Sequence, residues 1–82
     1  MIRLSKNGLN LLIKCLEIRN PSLIPLITSG VNDHYTDDFY NDLRSIVGDE
    51  LCDKGFQPDD EPNDYGLELE ALIDEIGRLF MV

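Results

Sequence analysis

The chain has 82 residues, room for one domain, and a domain of that size buries only about 60% of its unfolded surface. Apolar residues make up 43% and charged residues 28%, a globular balance and not a disordered one. Sixteen Asp and Glu face seven Lys and Arg, a net charge of -9 with a pI near 4.2. Phosphate backbones and anionic bilayers repel such a protein, so neither nucleic acid nor a membrane is an expected partner.

The longest apolar run near the N-terminus, Leu11-Leu12-Ile13, is too short for a signal-peptide core or a membrane span, which predicts a cytoplasmic protein. Cys15 and Cys52 are the only thiols and form no CxxC pair. In a chain without an export signal they read as two reduced, mostly packed cysteines. Charge is split along the chain. Up to Val31, Arg3, Lys6, Lys14 and Arg19 face only Glu17, whereas Asn32 to Val82 carries the other fifteen acids and three bases. Such a molecule has one strongly negative end.

Punctuation divides the chain into four helical stretches. Ser5 caps the first, which runs to about Arg19 and stops at Asn20-Pro21. Leu9, Leu12, Ile13 and Leu16 form one apolar stripe, and Leu4, Leu11, Cys15 and Ile18 a second beside it. A helix apolar over more than half its circumference is either covered by several neighbours or presents a surface to a partner. Ser22 is placed to cap a short second helix with Pro25 in its first turn and Gly30 as a left-handed stop. A loop from Val31 to Tyr35 follows.

Thr36 caps the third helix, with Asp37 and Asp38 in the first turn, where carboxylates complement the helix dipole. Phe39, Tyr40, Leu43, Ile46, Val47 and Leu51 mark its buried face. Lys54 and Gly55 suit a left-handed ending with Phe56 folded back on Leu51. Gly48 in mid-helix predicts a second backbone crossing there. Gln57 to Asp64 is a loop, and a last helix begins near Tyr65 with Leu69, Leu72, Ile73, Ile76, Leu79 and Phe80 on one side. No strand alternation bounded by hairpin turns is present. The fold expected is all-α, a single helical domain over residues 1–82, built as a small antiparallel bundle of three long helices and one short one.

Carboxylates are the plentiful chemistry. Asp38, Asp42, Asp49 and Asp53 fall on one side of the third helix, with the acids of the 59–64 loop behind them. A solvated face that keeps a small domain soluble would look similar. Asp49-Asp53 and Glu70-Asp74, however, are like-charge pairs four residues apart, each costing a few tenths of a kcal/mol, about 0.3. Uncompensated repulsions of this kind point to a cationic partner. Glu50 falls on the apolar stripe and needs a partner, for which Arg19 and Lys14 are the candidates. The tyrosines among these acids, Tyr35 and Tyr65, match the composition of contact hot spots, and also of ordinary core edges.

Enzymatic readings fail on the residues. His34 is the only histidine, and no glycine-rich phosphate loop or nucleophile–base spacing is present. An EF-hand register set on Gly66 would place Tyr65 and Leu72 at ligand positions, which those side chains cannot fill. No catalysis, no cofactor and no metal site are expected.

The stretch Thr36 to Asp74, TDDFYNDLRSIVGDELCDKGFQPDDEPNDYGLELEALID, about half the chain, resembles the small acidic bacterial immunity proteins. These neutralise nuclease toxins of the bacteriocin and contact-dependent growth inhibition type. The resemblance lies in size, charge and helical character, not in fixed positions. It implies a non-catalytic inhibitor that holds a basic protein toxin domain through carboxylates and tyrosines, with fast, electrostatically steered association. The expected contact residues are Tyr35, Asp37, Asp38, Asp42, Asp59, Asp60, Glu61, Asp64 and Tyr65. A structural alternative is a helical homo-oligomer or assembly subunit that self-associates through the apolar first helix.

Overall fold

The computed structural model describes residues 2–28, 35–59 and 61–80, and it is all-α, with three long helices and one short one. Helix α1 spans Lys6–Arg19, α2 Ile24–Thr28, α3 Asp37–Lys54 and α4 Asp64–Gly77. The caps follow from the sequence. Ser5 accepts from the Gly8 amide, Thr36 from Phe39, and Asn63 from Gly66, each satisfying an amide that has no partner inside its helix.

Contacts between helix ends set their directions. Gly55 at the end of α3 meets Gly66 at the start of α4, and Tyr40 near the start of α3 stacks on Phe80 just beyond α4, ring centroids 5.2 Å apart. Helix α4 thus runs antiparallel to α3, as its short connection demands. It opposes α1 too, because Ser5 reaches Glu75 and Lys14 lies over Tyr65. Both α1 and α3 oppose α4, so α1 and α3 point the same way. The Ile2 amide donates to the Ile27 carbonyl at 3.0 Å and ties α2 to the N-terminal segment.

The core joins Ile2, Leu12, Cys15, Leu16, Ile27, Tyr40, Leu43, Val47, Leu69, Leu72 and Ile76. On α1 the buried line runs between the two predicted stripes, leaving Leu11 half-buried and Ile18 53% exposed. Neighbours therefore cover the centre of that broad apolar surface and not its edge.

Several local expectations are corrected. The short helix is not capped by Ser22. The chain enters a 3-10 turn at Pro21–Leu23, a proline in the first turn being pre-set for it, and continues into α2. The Ser22 hydroxyl donates to Asn20 Oδ1 at 2.7 Å instead. Gly30 lies outside the described residues. Helix α3 does not end left-handed, since Gly55 has φ -90° and its amide donates to the Leu51 carbonyl in ordinary helical fashion. Phe56 remains 42% exposed. No backbone crosses at Gly48, where a Cβ would meet nothing within 4 Å. The close approach of two backbones lies instead between Gly55 and Gly66. A Cβ on Gly66 would fall on the Gly55 carbonyl, and one on Gly55 would lie 3.1 Å from the Gly66 Cα.

Both cysteines are free, Cys15 buried and Cys52 exposed, so only the first is packed. Burial pushes the Cys15 thiol above its ordinary value, against the opposing pull of the Tyr65 hydroxyl. A maleimide reagent at neutral pH is expected to label one thiol per native chain, at Cys52, and two in denaturant, as counted by intact mass. Rapid native labelling of both would show that the core opens readily at Cys15.

Candidate protein-binding surface

One buried carboxylate organises the end of the molecule where α1 and α3 finish and α4 begins. The Glu50 side chain is only 1% exposed. Arg19 donates to its Oε1 through Nε at 3.2 Å and Nη2 at 3.0 Å, and the Tyr65 hydroxyl donates to Oε2 at 2.8 Å. Lys54 Nζ stands 3.9 Å away. Arg19 therefore fills the partner role expected of it, while Lys14 sits 5.5 Å from the Tyr65 ring centroid as a cation–π contact. Burial alone would push the Glu50 carboxyl up, but Tyr65, Arg19 and Lys54 outweigh it and hold it below its ordinary value. Burial and the same hydrogen bond push the Tyr65 phenol far above its ordinary value, so it remains a donor.

Arg19 also reaches Asp53 Oδ2 and the Asp49 carbonyl, both at 3.3 Å. The like-charge pair on α3 is thus partly relieved from within the fold. The connection from α3 to α4 is held just as locally. Asn63 donates from Nδ2 to the Lys54 carbonyl at 3.0 Å and from its backbone to the Gly55 carbonyl at 2.9 Å. The Gln57 amide donates to the Glu61 carbonyl at 2.7 Å, closing a tight loop that carries Asp59 and Glu61 on its outside.

The fold divides the sequence-predicted contact residues. Asp59, Glu61, Asp64 and Tyr65 gather at the end just described. Tyr35, Asp37, Asp38 and Asp42 stand at the other end of α3, an 18-residue helix and hence about 27 Å long. Asp60 lies outside the described residues. Both tyrosines spend their hydroxyls on partners within the fold. Tyr65 donates to Glu50, and Tyr35 donates to the Leu26 carbonyl at 2.7 Å while stacking on Phe39 at 4.9 Å.

The two ends differ in charge. Among the described residues, the end built by the later half of α1, the later half of α3, residues 55–63 and the first half of α4 carries Glu17, Asp49, Glu50, Asp53, Asp59, Glu61, Asp64, Glu68 and Glu70, against Lys14, Arg19 and Lys54. The opposite end carries Asp37, Asp38, Asp42, Asp74 and Glu75, against Arg3, Lys6, Arg44 and Arg78. The first end is strongly negative and the second nearly balanced. Three large apolar side chains are exposed within the negative end: Ile18 at 53%, Phe56 at 42% and Leu67 at 52%. Periodicity set Ile18 on an apolar stripe, Phe56 lies beyond the end of α3, and Leu67 falls off the apolar side of α4, so no single pattern groups the three.

A second feature invisible in the sequence lies between α1 and α4. There a groove of about 560 Å³ opens, floored by Leu11, Ala71 and Leu72 and rimmed by Asn7, Asn10, Lys14, Glu68 and Glu75. Helix α1 has no acid in its own first turn, and Glu75 supplies one from α4, accepting from the Ser5 amide and from its hydroxyl at 3.1 Å. Among the described residues no group of three or more His, Cys, Asp or Glu is arranged to hold a metal ion, and no helix is long and apolar enough to cross a membrane. What the arrangement offers is a charged, partly apolar surface suited to protein contact. Compared with protein families, curated proteins and solved structures, the chain matches none.

Proposed function

We propose that this protein is a non-catalytic, immunity-type binding module that neutralises a basic toxin domain, of the nuclease kind, by covering it with its negative end. The observation that supports the reading is the concentration there of carboxylates around exposed Ile18, Phe56 and Leu67. Apolar contacts ringed by one sign of charge provide both a desolvated centre and long-range steering toward a cation-rich partner. Asp59, Glu61, Asp64 and Glu68 have no ion-pair partner among the described residues, in contrast to Glu50 and Asp53, so their charge is directed outward. The division of the acids also narrows the contact surface, with Asp37 and Asp38 serving as helix-start charges at the far end and Asp42 beside them one turn on.

The test is kinetic. Association with the basic C-terminal domain of any secreted protein encoded beside this chain is followed by stopped flow at low and physiological salt. Reversing Asp59, Glu61 and Asp64 together to lysine is expected to slow association about tenfold and to flatten its salt dependence. Reversing Asp37, Asp38 and Asp42 is expected to change it less than about threefold. Equal effects from both triple variants would reduce the surface to bulk charge, and an absence of any complex would remove the reading. A homo-oligomer built on α1 is favoured only by exposed Ile18, and sedimentation at micromolar concentration separates it through a dimer that lysine at Ile18 dissolves.

A further inference from the structure

We propose that the groove between α1 and α4 is the seat for an amphipathic helix of the basic partner, which inserts an apolar row between the two helices and brings a lysine or arginine to Glu68. This inference rests on the binding-module reading and extends it to a recognition mode. The floor of Leu11, Ala71 and Leu72 is apolar, and the groove runs for two helical turns, from Glu68 to Glu75 on α4. That length matches anchors at i, i+3/i+4 and i+7 on an inserted helix. Its volume of about 560 Å³ is large enough for several side chains and too shallow to enclose them.

Charge selects the occupant. Two of the three charged rim groups are already engaged, the Lys14 ammonium over the Tyr65 ring and the Glu75 carboxylate at Ser5. Glu68 is left as the outward charge, next to the amides of Asn7 and Asn10, which hydrogen-bond side chains of either polarity. Asp64, at the negative end, lies one helical turn before Glu68 on α4. A second copy of this chain would bring another charge of -9 to the same place, which disfavours self-occupation.

The probe is a fluorescein-labelled 14-residue peptide of leucine and lysine in helical amphipathic order, titrated by anisotropy, with a serine-for-leucine peptide of identical charge as control. The wild-type chain is expected to bind the leucine peptide at least tenfold more tightly than the serine one. Ala71 is exposed, so Ala71→Trp fills the groove without entering the core, and it is expected to weaken the leucine peptide at least tenfold with unchanged circular dichroism. Glu68→Lys is expected to weaken it at least fivefold, and Glu70→Lys, the same charge change on an exposed position that does not line the groove, less than twofold. Equal loss from Glu68→Lys and Glu70→Lys, or unchanged affinity in Ala71→Trp, would overturn the proposal. So would sedimentation as a dimer that Ala71→Trp converts to monomer. The Asp59, Glu61 and Asp64 triple reversal keeps the two readings apart. If it abolishes toxin-domain capture while Ala71→Trp leaves both capture and peptide binding intact, the groove is dismissed and the negative end stands.

Discussion

Glu50→Ala is expected to cost about 3 to 5 kcal/mol, the range for breaking a buried ion pair from one side. The variant strands the Tyr65 hydroxyl and takes from the Arg19 guanidinium its buried acceptor, leaving it only Asp53 and the Asp49 carbonyl. In a domain whose total stability is about 5 to 10 kcal/mol, such a loss removes much of the folded population at 37 °C. Urea midpoints at constant m would record it. Tyr65→Phe, which deletes a single hydrogen bond to a charged group, is expected to cost about 1.5 to 3 kcal/mol. A Glu50→Ala variant as stable as the wild type would mean that the carboxylate is solvated and the cluster has no structural weight.

The same cluster sets a pH dependence whose sign is fixed. Glu50 is held below its ordinary 4.5 in the folded state, so between its folded and unfolded values the unfolded chain binds more protons. Its contribution is complete above about pH 4.5 and is lost as pH falls through the folded value. Tyr65 acts at the other limit. Raised above its ordinary 10.0, it contributes fully below that pH, and the contribution is lost as pH rises through the folded value. Stability from Glu50 and Tyr65 is therefore flat between these limits, and Glu50→Gln is expected to make the acid limb of the profile shallower. An unchanged acid limb in that variant would assign the slope to other carboxylates.

Gly66→Ala is expected to destabilise by about 3 kcal/mol or more, because overpacking is costly where the obstructing atoms cannot rotate away. The new methyl would lie 2.9 Å from the Gly55 carbonyl carbon and closer still to its oxygen. Relief requires the start of α4 to move away from the end of α3, which also disturbs the Asn63 contacts that join them. Gly48→Ala has the opposite sign. Nothing lies within 4 Å of the new methyl, and the gain in helix propensity is about 1 kcal/mol. The pair tests where the two backbones meet, and a tolerated Gly66→Ala would place the crossing elsewhere.

Both glycines of that crossing looked ordinary in the sequence. Gly55 read as a helix stop and Gly66 only as the pivot of an EF-hand register that fails, whereas Gly48 was the conspicuous one because it interrupts a helix. A helix-breaking residue signals cost, but what offsets the cost is a contact with a residue far away in the chain, and no local pattern encodes that. The same holds at the negative end. Arg19 and Lys14 were equal candidates for Glu50, and only the rotation of α1 about its axis assigns Arg19 to the carboxylate and Lys14 to the Tyr65 ring.

Local rules were enough to place the long helices, because caps and apolar periodicity act within a few residues. Ser5, Thr36 and Asn20-Pro21 mark boundaries that the fold keeps, and the core faces of α3 and α4 follow from spacing alone. The overall excess of acid and the need of Glu50 for a cation were legible in the same way. Only the tertiary arrangement decided which acids share a surface. A helix about 27 Å long separates Asp37, Asp38 and Asp42 from Asp59, Glu61 and Asp64, while the reversal of α4 gathers the latter with Ile18, Phe56 and Leu67. The groove, the capping of α1 by Glu75 and the glycine contact arise in the same manner, from residues distant in the chain that meet when helices pack. Short-range chemistry determines the elements, and the direction and rotation of each helix in the packed fold determine which side chains become neighbours.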